Sequence, residues 1–325
     1  MINEQATTGI LDEFQTDLVE GWRRLPNKGF FFLLLGAWLA LFQFFGNSTF
    51  GFFVSPSLLK WMYIVGNAKS AEGEVDDNQM IIAPLIVIGL FWWKRKELLR
   101  QPMQTWWPGL LLVGLGLLMH IVGYRVQQPR ISIVALFTGI YGLMGMAWGQ
   151  KFLRASLFPF FLFMFCVPFG TLAEFITVPL RHIVAVIVEM ISHCFPHRFH
   201  MEVVRQGTQL IDPDGNFQYE VAAACGGIRS LIMTVMLAIV FGFIAFKAAW
   251  KRLLLIALAA PLAVAGNVLR LLIVVIVSKK WGQTAGLGVH DNAITSLLPY
   301  VPAVLALLWL GSLLEKKNPS TEAPA

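Results

Sequence analysis

The sequence predicts an all-α polytopic membrane protein with about eight transmembrane helices. Hydrophobic residues make up 57% of its 325 residues and charged residues only 14%, whereas soluble domains carry about 25% charged residues. The apolar residues are also grouped into long runs, which are separated by loops that hold most of the charges. The net charge of +6 does not indicate nucleic-acid binding, because the basic residues lie beside the apolar runs, where they orient helices in a membrane.

Eight apolar runs define the predicted spans. They cover residues 30–46, 80–93, 107–123, 131–149, 152–169, 226–246, 253–278 and 297–314. The second run is short for a bilayer that needs about 20 residues, so its span is expected to begin earlier or to cross where the bilayer is thin. The predicted organisation is therefore a cytoplasmic N-terminal segment (1–29), a membrane domain (30–314) and a cytoplasmic tail (315–325).

Two segments between the fifth and sixth spans have a different pattern. The segment Leu172–Cys194 is apolar but contains ionisable residues, which favours an extracytoplasmic amphipathic helix in the membrane interface. The segment Met201–Glu220 alternates apolar and polar residues around the turn Asp212–Asn216, which predicts a short β-hairpin before the cysteine-bearing helix. We expect the hairpin to position a substrate near the thiol by addition of a peptide strand. The ionisable residues of the amphipathic segment are Glu174, Arg181, His182 and Glu189.

The distribution of basic residues fixes the predicted orientation. With both termini in the cytoplasm, every cytoplasmic connection carries Lys or Arg, and the external loop 47–79 carries four acidic residues against two lysines. Lys279 and Lys280 are the exception: they fall outside, next to Trp281, and are expected to snorkel or to contact lipid phosphate. The cytoplasmic set is Arg23, Arg24, Lys28, Lys94, Arg95, Lys96, Arg100, Lys151, Arg154, Lys247, Lys251, Arg252, Lys316 and Lys317.

Cys225 stands where a polar loop becomes a membrane helix. It precedes the apolar run 231–246, so it lies at or just before a helix N-terminus, where unpaired N–H groups and the helix dipole favour a thiolate. The alternative is a small buried hydrophobic residue without chemistry. Cys166 lies in a phenylalanine-rich span and is expected to pack there, and three cysteines in all cannot form a disulfide framework.

Arg270 lies within the seventh predicted span, three residues after Asn267 and on the same helical face. An arginine at the centre of a membrane helix costs about 2.5 kcal/mol or more and normally faces a polar cavity. One interpretation is that Arg270 pairs with Glu220, Asp291 or a lipid headgroup. The other is a fixed positive charge that stabilises a thiolate and then an oxyanion, with Asn267 orienting it or donating a hydrogen bond.

His290 lies in the last external loop, on the side of the membrane predicted for Cys225 and Arg270. Because the pKa of histidine is near neutrality, this residue is able to take a thiol proton and return it to a leaving amine. Arg229 lies one helical turn after Cys225. It is expected to reinforce the thiolate, to bind a substrate carboxylate or to contact a lipid headgroup.

The other histidines give weaker signals. His120 lies inside an apolar span and is expected to pack, and His182 is expected on the polar face of the amphipathic helix. A third group clusters near Cys194, but its spacing matches no standard metal site. That group is His193, His197 and His200. The tripeptide Asn47-Ser48-Thr49 matches a glycosylation acceptor, a motif that often occurs by chance.

At these residues the sequence resembles the exosortase/archaeosortase family of integral membrane cysteine transpeptidases. The cysteine motif of the family is matched by Cys225-Gly226-Gly227-Ile228-Arg229-Ser230, in which Gly226 stands where Ser or Ala is usual. A second element, Asn and Arg in a later helix, is matched by Asn267 and Arg270, and a third, a histidine in the last external loop, by His290. Family members often carry Gly shortly after that histidine, and this chain does not. The likeness covers about residues 30–312.

The resemblance implies that Cys225 is the nucleophile, that His290 is the general base and acid, and that Arg270 holds the oxyanion. Supporting roles fall to Asn267, Arg229, Gly226 and Gly227. It further implies cleavage of a C-terminal sorting tail (a short motif such as Pro-Glu-Pro, a membrane helix and a basic end) from exported proteins in the bacterial plasma membrane. The acceptor is an amine, a glycan or lipid, or water. Neither a cofactor nor a metal is expected.

Other functions stay open at the level of the sequence. A transporter or channel would line its path with Arg270, Asn267 and His290, although the chain lacks inverted repeats. A non-enzymatic assembly protein for exopolysaccharide export would use Cys225 structurally. A purely hydrolytic intramembrane protease would use the same thiol and leave a free carboxylate on its product.

Overall fold

The computed structural model describes residues 15–49, 55–67, 77–168, 174–194, 203–220, 228–291 and 300–316. Most of these residues are helical, and a small antiparallel sheet is the β-structure found among them. The chain divides into two compact units, Met1–Asn67 with Asn78–Pro168 and Ala68–Asp77 with Phe169–Ala325. We call them the N-terminal unit and the C-terminal unit.

The described part of the N-terminal unit consists of α-helices and one 3₁₀ helix. They are α1 (15–24), α2 (Lys28–Phe45), α3 (Leu58–Asn67), α4 (Gln79–Trp93), α5 (Arg95–Leu99), α6 (Gly109–Arg125), α7 (Pro129–Trp148), α8 (Gln150–Phe161) and the 3₁₀ helix Leu162–Cys166. Cys166 is fully buried in that last helix, which confirms its predicted packing role. Helices are the expected form for such apolar runs, because every backbone polar group is then satisfied within the segment.

Helices α6 and α7 pack closely along a line of small residues. Gly109 lies against Gly142, where a Cβ on Gly109 would stand 2.6 Å from the Gly142 carbonyl oxygen. One heptad further on, a Cβ on Gly116 would stand 2.9 Å from the carbonyl oxygen of Ala135. Small residues let two membrane helices approach closely, so that van der Waals contact holds them where the hydrophobic effect is weak.

Helix α2 packs against the same pair through a buried tryptophan. The Trp38 indole N–H donates to the Leu136 carbonyl oxygen at 3.0 Å, and the ring lies over Gly139, where no Cβ would fit. His120 of α6 is 5% exposed, and its Nδ1 lies 3.1 Å from the Ser132 hydroxyl of α7. The prediction that His120 is a packing residue is therefore confirmed.

The C-terminal unit combines five described helices with the sheet. They are α9 (Glu174–Cys194), β1 (Val204–Gln206), β2 (Gln209–Ile211), β3 (Gln218–Glu220), α10 (Ile228–Ala245), α11 (Ala249–Trp281), α12 (Gln283–Asp291) and α13 (Tyr300–Lys316). The predicted hairpin is present as β2–β3 around the turn that begins at Asp212. The sequence prediction missed one strand, because Gly207 adopts a φ of +65° and lets β1 pair with β2 across a tight turn.

One hydrophobic core joins α9, the sheet and the second half of α11. Its buried members are Val184, Ala185 and Val188 of α9, Val203, Leu210, Phe217 and Tyr219 of the sheet segment, and Val268, Leu271, Val274 and Val275 of α11. A second core joins α10, α11 and α13 through Ala238, Phe246, Leu255, Ala259 and Leu307. Helix α11 takes part in both cores and is therefore the axis of the C-terminal unit.

Each of the eight predicted spans corresponds to helical structure, but their lengths differ. Among the described residues, three helices are long and apolar enough to cross a bilayer: α2, α7 and α11. Shorter apolar helices occupy Gln79–Trp93, Gly109–Arg125, Leu231–Ala245 and Val304–Leu313. The membrane character and the helical fold are thus confirmed, whereas the number of eight spans stays a prediction. The predicted amphipathic helix is α9, and its place relative to the membrane also stays a prediction.

Candidate active site

The predicted site residues differ in how much of them the structure describes. Asn267 and Arg270 are fully described and lie on α11. The structure describes the backbone of Arg229 in α10 and of His290 in α12, but not their side chains. Cys225, Gly226 and Gly227 lie outside the described residues. The geometry of the candidate site is therefore built from α11 and from the elements that flank the cysteine segment.

Asn267 and Arg270 lie on the side of α11 that points into the C-terminal unit. Asn267 is 4% exposed and Arg270 is half-buried. Residues three, four, seven and eleven apart share one face of a helix, so the same face continues through Val274 to Ser278. Ser278 lies eight residues beyond Arg270, which corresponds to about 12 Å along the helix axis.

Helix α11 is longer than one crossing of a membrane core requires. Its 33 residues correspond to about 50 Å, against about 30 Å for the hydrocarbon of a bilayer. The sheet and α12 are attached at the C-terminal end of α11.

A buried hydroxyl pair connects the sheet to α11 and α12. The Tyr219 hydroxyl lies 2.7 Å from the Ser278 hydroxyl oxygen and donates to the Gln283 carbonyl oxygen at 2.7 Å. The Ser278 hydroxyl also lies 2.7 Å from the carbonyl oxygen of Val274. Burial raises the pKa of the Tyr219 hydroxyl above its ordinary value of 10.0, so the group is protonated at neutral pH and able to donate.

An ion pair makes a second connection between the same elements. The Lys279 ammonium donates to Asp212 and to Asp214, both at 2.6 Å, and thereby joins the β2–β3 turn to the end of α11. Burial raises the pKa of the Asp212 carboxyl, but hydrogen bonds from Lys279 and from Asn216 outweigh that effect and hold it below its ordinary value. We call Tyr219, Ser278, Gln283, Asp212 and Lys279 together the sheet anchor.

Helix α12 folds back sharply against the end of α11. The single junction residue Gly282 has a φ of +86°, a left-handed value that glycine adopts without strain. Gly286 then lies against the sheet anchor, since a Cβ at this position would overlap the Ser278 hydroxyl and stand 2.7 Å from that of Tyr219. The helix that carries His290 is therefore seated on the same hydroxyl pair as β3.

The family model of transmembrane exosortases matches residues 72–310, well over half of the chain. The chain belongs to the transmembrane exosortase family. The matched range of this exosortase contains the cysteine motif, Asn267, Arg270, His290 and the whole sheet anchor. Comparison with curated proteins and with solved structures finds no match.

The sheet of this exosortase is also fastened to α9. The Arg205 guanidinium donates to the Glu189 carboxylate at 2.8 Å, and the Arg205 backbone N–H donates to the same carboxylate at 3.3 Å. On the other side of the sheet, the Gln283 side chain donates to the Gln218 carbonyl oxygen at 3.0 Å. Side chains from α9 and α12 therefore bond to both outer strands of the exosortase sheet.

The exosortase structure bears on two weaker sequence signals, the glycosylation tripeptide and the histidine cluster. Asn47 of the glycosylation tripeptide is 1% exposed, and its amide donates to the Ser55 carbonyl oxygen at 2.9 Å, so it does not present an acceptor to solvent. No group of three or more metal-binding side chains occurs in the described ranges. His193 and Cys194 end α9, and His182 is exposed on it, whereas His197 and His200 lie outside the described residues.

The sequence analysis did not find the sheet anchor. Its polar members are spread over 72 positions from Asp212 to Gln283, and no spacing rule connects a strand to a helix end. One signal was available in Lys279, which stands against the predicted charge pattern and for which an acidic partner is an alternative to the expected lipid contact. The nearby turn supplies two carboxylates for it.

Proposed function

We propose that the chain is a membrane-embedded cysteine transpeptidase that cleaves the C-terminal sorting tail of exported proteins. Its substrates carry a short motif, a membrane helix and a basic end, and the released proteins are transferred to an amine, a glycan or lipid, or water. The enzyme acts in the plasma (inner) membrane, with both termini in the cytoplasm and the active site on the extracytoplasmic side. Membrane lipids are its immediate surroundings.

The reaction uses three side chains. The Cys225 thiolate attacks the carbonyl carbon of the scissile peptide, and Arg270 stabilises the negative charge that develops on the carbonyl oxygen. The C–N bond then breaks, and the amine leaves with a proton from His290, so that a thioester remains on Cys225. The acceptor nucleophile gives a proton to His290 and attacks the thioester, which releases the thiolate.

The observation that carries this proposal is the place of Arg270. Its half-buried side chain and the buried Asn267 lie on the α11 face that continues to Ser278, where β3 and α12 are attached. Strand β3 leads into the cysteine segment, and α12 carries His290. Arg270 and His290 thus belong to helices that meet near one end of α11, and β3, which precedes the cysteine segment in the chain, is attached at the same end; this supports a shared active site.

The predicted orientation is supported within each unit. In the N-terminal unit, the Trp148 indole donates to the Pro26 carbonyl oxygen at 3.1 Å, and Lys94 donates to that of Ala155 at 3.0 Å. The start of α2 therefore lies beside the end of α7, and the end of α4 beside the first turns of α8. These four helix ends are the ones that the basic residues place in the cytoplasm.

In the C-terminal unit, the core of α10, α11 and α13 supports the same predicted orientation in the membrane. Gly311 near the end of α13 packs against Phe241 near the end of α10, so these two helices run in the same direction. Lys247, Lys251 and Arg252 lie at the end of α10 and the start of α11. That end becomes cytoplasmic under the positive-inside rule, and the sheet anchor at the far end of α11 becomes extracytoplasmic.

The test is tail removal from a co-expressed substrate that bears a C-terminal motif, membrane helix and basic end. Wild type is compared with Cys225→Ala, Arg270→Ala and His290→Ala at equal membrane levels. Retention of the tail in all three variants is the expected result, and the mass of the wild-type product then distinguishes transfer to an acceptor from hydrolysis. Continued processing by Cys225→Ala would refute nucleophilic catalysis and favour a transport or assembly role.

A further inference from the structure

The two hydroxyl groups of the sheet anchor have fewer protons than they have oxygen contacts. Tyr219 and Ser278 contribute one hydroxyl proton each, yet three oxygen–oxygen distances of 2.7 Å connect them to each other, to Gln283 and to Val274. Two protons make two of these three contacts hydrogen bonds at a time, so Tyr219 and Ser278 share their donors between each other and the two carbonyl oxygens. The pair therefore links β3 to the end of α11 and to the start of α12.

Two hydrogen bonds link β3 to α12 in the described structure, and the one from the Tyr219 hydroxyl comes from a buried residue. The remaining bond is that of the Gln283 side chain to the Gln218 carbonyl oxygen, at an exposed position. The Tyr219 ring stacks on Phe217, with ring centroids 5.4 Å apart, and belongs to the buried core. The ring thus secures packing, and the hydroxyl is the part of the Tyr219 side chain that bonds to α11 and α12.

Side-chain bonds at the outer strands argue for attachment as the role of the sheet. A substrate strand added to β1 would displace the bond from Arg205 N–H to Glu189, and one added to β3 would displace the bond to Gln218. Each bond ties the sheet to a neighbouring helix. The outer strands of the described sheet are therefore bonded to α9 and α12, and these attachments explain the presence of the sheet without the addition of a substrate strand.

We propose that Tyr219 is a positioning residue, whose hydroxyl sets the register between the Cys225 segment and the helices that carry Arg270 and His290. This inference rests on the proposed function for the identity of the three catalytic residues. Cys225 lies five positions after the end of β3, a length of chain that spans at most about 18 Å. We therefore expect a shift of β3 relative to α11 to change the position of Cys225 relative to Arg270.

The test uses Tyr219→Phe in the full-length chain, in a Cys194→Ser background that removes an exposed thiol and leaves Cys166 buried. Phenylalanine keeps the ring in the core and removes the hydroxyl only. We expect kcat for tail removal to fall by about tenfold or more with little change in KM, because small displacements of reacting groups reduce rates steeply. Without substrate, the midpoint of iodoacetamide alkylation of Cys225 against pH should rise, because the thiolate has moved from the Arg270 charge.

Tyr141→Phe is the matched control. It removes a hydroxyl that donates to the Leu153 carbonyl oxygen at the same 2.7 Å, but in the N-terminal unit. We expect its kcat and its alkylation midpoint to equal those of wild type. If Tyr219→Phe does not accumulate in membranes, Ser278→Ala removes the other half of the pair and is expected to give the same two changes.

An unchanged alkylation midpoint in Tyr219→Phe, or a lowered unfolding temperature with unchanged kcat, would overturn the positioning role. Because alkylation needs no substrate, this result is separate from the test of the proposed function. A Cys225→Ala variant that still removes the tail refutes the transpeptidase reaction, whatever the behaviour of Tyr219. A shifted midpoint in Tyr219→Phe together with a reduced kcat supports both.

Discussion

The Lys279 ammonium lies 2.6 Å from a carboxylate oxygen of Asp212, whose side chain is fully buried in the turn between β2 and β3. Asp214 accepts from the same ammonium at 2.6 Å on the exposed side. This pairing changes the interpretation of Lys279, which the sequence placed on the extracytoplasmic side with lipid as its expected contact. The charge is compensated within the protein, so Lys279 does not count against the predicted orientation.

Replacement of Lys279 by methionine should destabilise the C-terminal unit. We expect a loss of about 2 kcal/mol at pH 7, below the range of about 3–5 kcal/mol for fully buried pairs, because the Lys279 side chain is 18% exposed. Thermal unfolding in detergent measures the loss. Lys280→Met is the matched control, since Lys280 is exposed and lies over the Trp281 ring. Equal unfolding temperatures for the two variants would contradict the prediction.

The stabilising effect of this pair should disappear in acid. The pKa of Asp212 is lower in the folded chain than its ordinary value of 3.8. Its contribution to stability is therefore complete above about pH 4 and is lost as the pH falls through the lowered pKa. The difference in unfolding temperature between wild type and Lys279→Met should be constant from pH 7 to 5 and should shrink at pH 3. A difference that grows in acid would be inconsistent with this sign.

Gly286→Ala should disrupt the sheet anchor and reduce tail processing. Its Cβ would overlap the Ser278 hydroxyl and crowd that of Tyr219, so β3 or α12 must move. We expect processing to fall by about tenfold or more, since such a shift misplaces reacting groups. Gly288→Ala, in the same helix, meets nothing within 4 Å and should process as wild type, with a helix more stable by about 0.5–1 kcal/mol. Equal losses in both variants would assign the effect to α12 in general.

The helical fold was accessible from the sequence because it follows from hydropathy. Apolar runs of membrane length are helical in the structure, from Lys28–Phe45 to Tyr300–Lys316, and the acidic turn at Asp212 joins two strands as predicted. Strand β1 was missed because Gly207 and Thr208 carry a weak turn signal, and a three-residue strand has little alternation to detect. Its bonds from Arg205 to Glu189 of α9 are contacts of the folded chain that alternation does not reveal.

The sequence predicted the relative positions of site residues only where those residues lie on the same helix. Asn267 and Arg270 were placed on one face because three residues are about one helical turn. The sheet anchor joins residues such as Tyr219 and Ser278, which are 59 positions apart and come together through the fold. Periodicity contains no information about such a contact. The expected places of Cys225 and His290 relative to Arg270 stay predictions.

Arg270→Ala should reduce kcat for tail removal by about 10²–10³-fold, the usual effect of losing a donor to an oxyanion. Arg270→Lys should recover part of this activity, because lysine retains the charge but not the planar fork of donors. Rates under saturating substrate, at equal membrane levels, measure both. Arg125→Ala serves as the control, since Arg125 is exposed at the end of α6. Wild-type kcat in Arg270→Ala would remove this residue from the mechanism.

The close packing of α6 and α7 gives a prediction that is independent of catalysis. Alanine at Gly116 would place a Cβ 2.9 Å from the Ala135 carbonyl oxygen and 3.0 Å from the Gly139 nitrogen. Both are backbone atoms, so the helices must separate, and we expect a loss of about 1–3 kcal/mol in unfolding free energy. Gly114→Ala, in the same helix, meets nothing within 4 Å.

Thermal unfolding of the two alanine variants in detergent distinguishes packing from helix propensity. Both substitutions replace glycine by a better helix former, and propensity alone would stabilise both by about 1 kcal/mol. Only the separation of α6 from α7 gives the two variants opposite signs, with Gly116→Ala less stable and Gly114→Ala more stable than wild type. If both variants gain stability, the backbones of α6 and α7 are further apart in solution than the glycine contacts require.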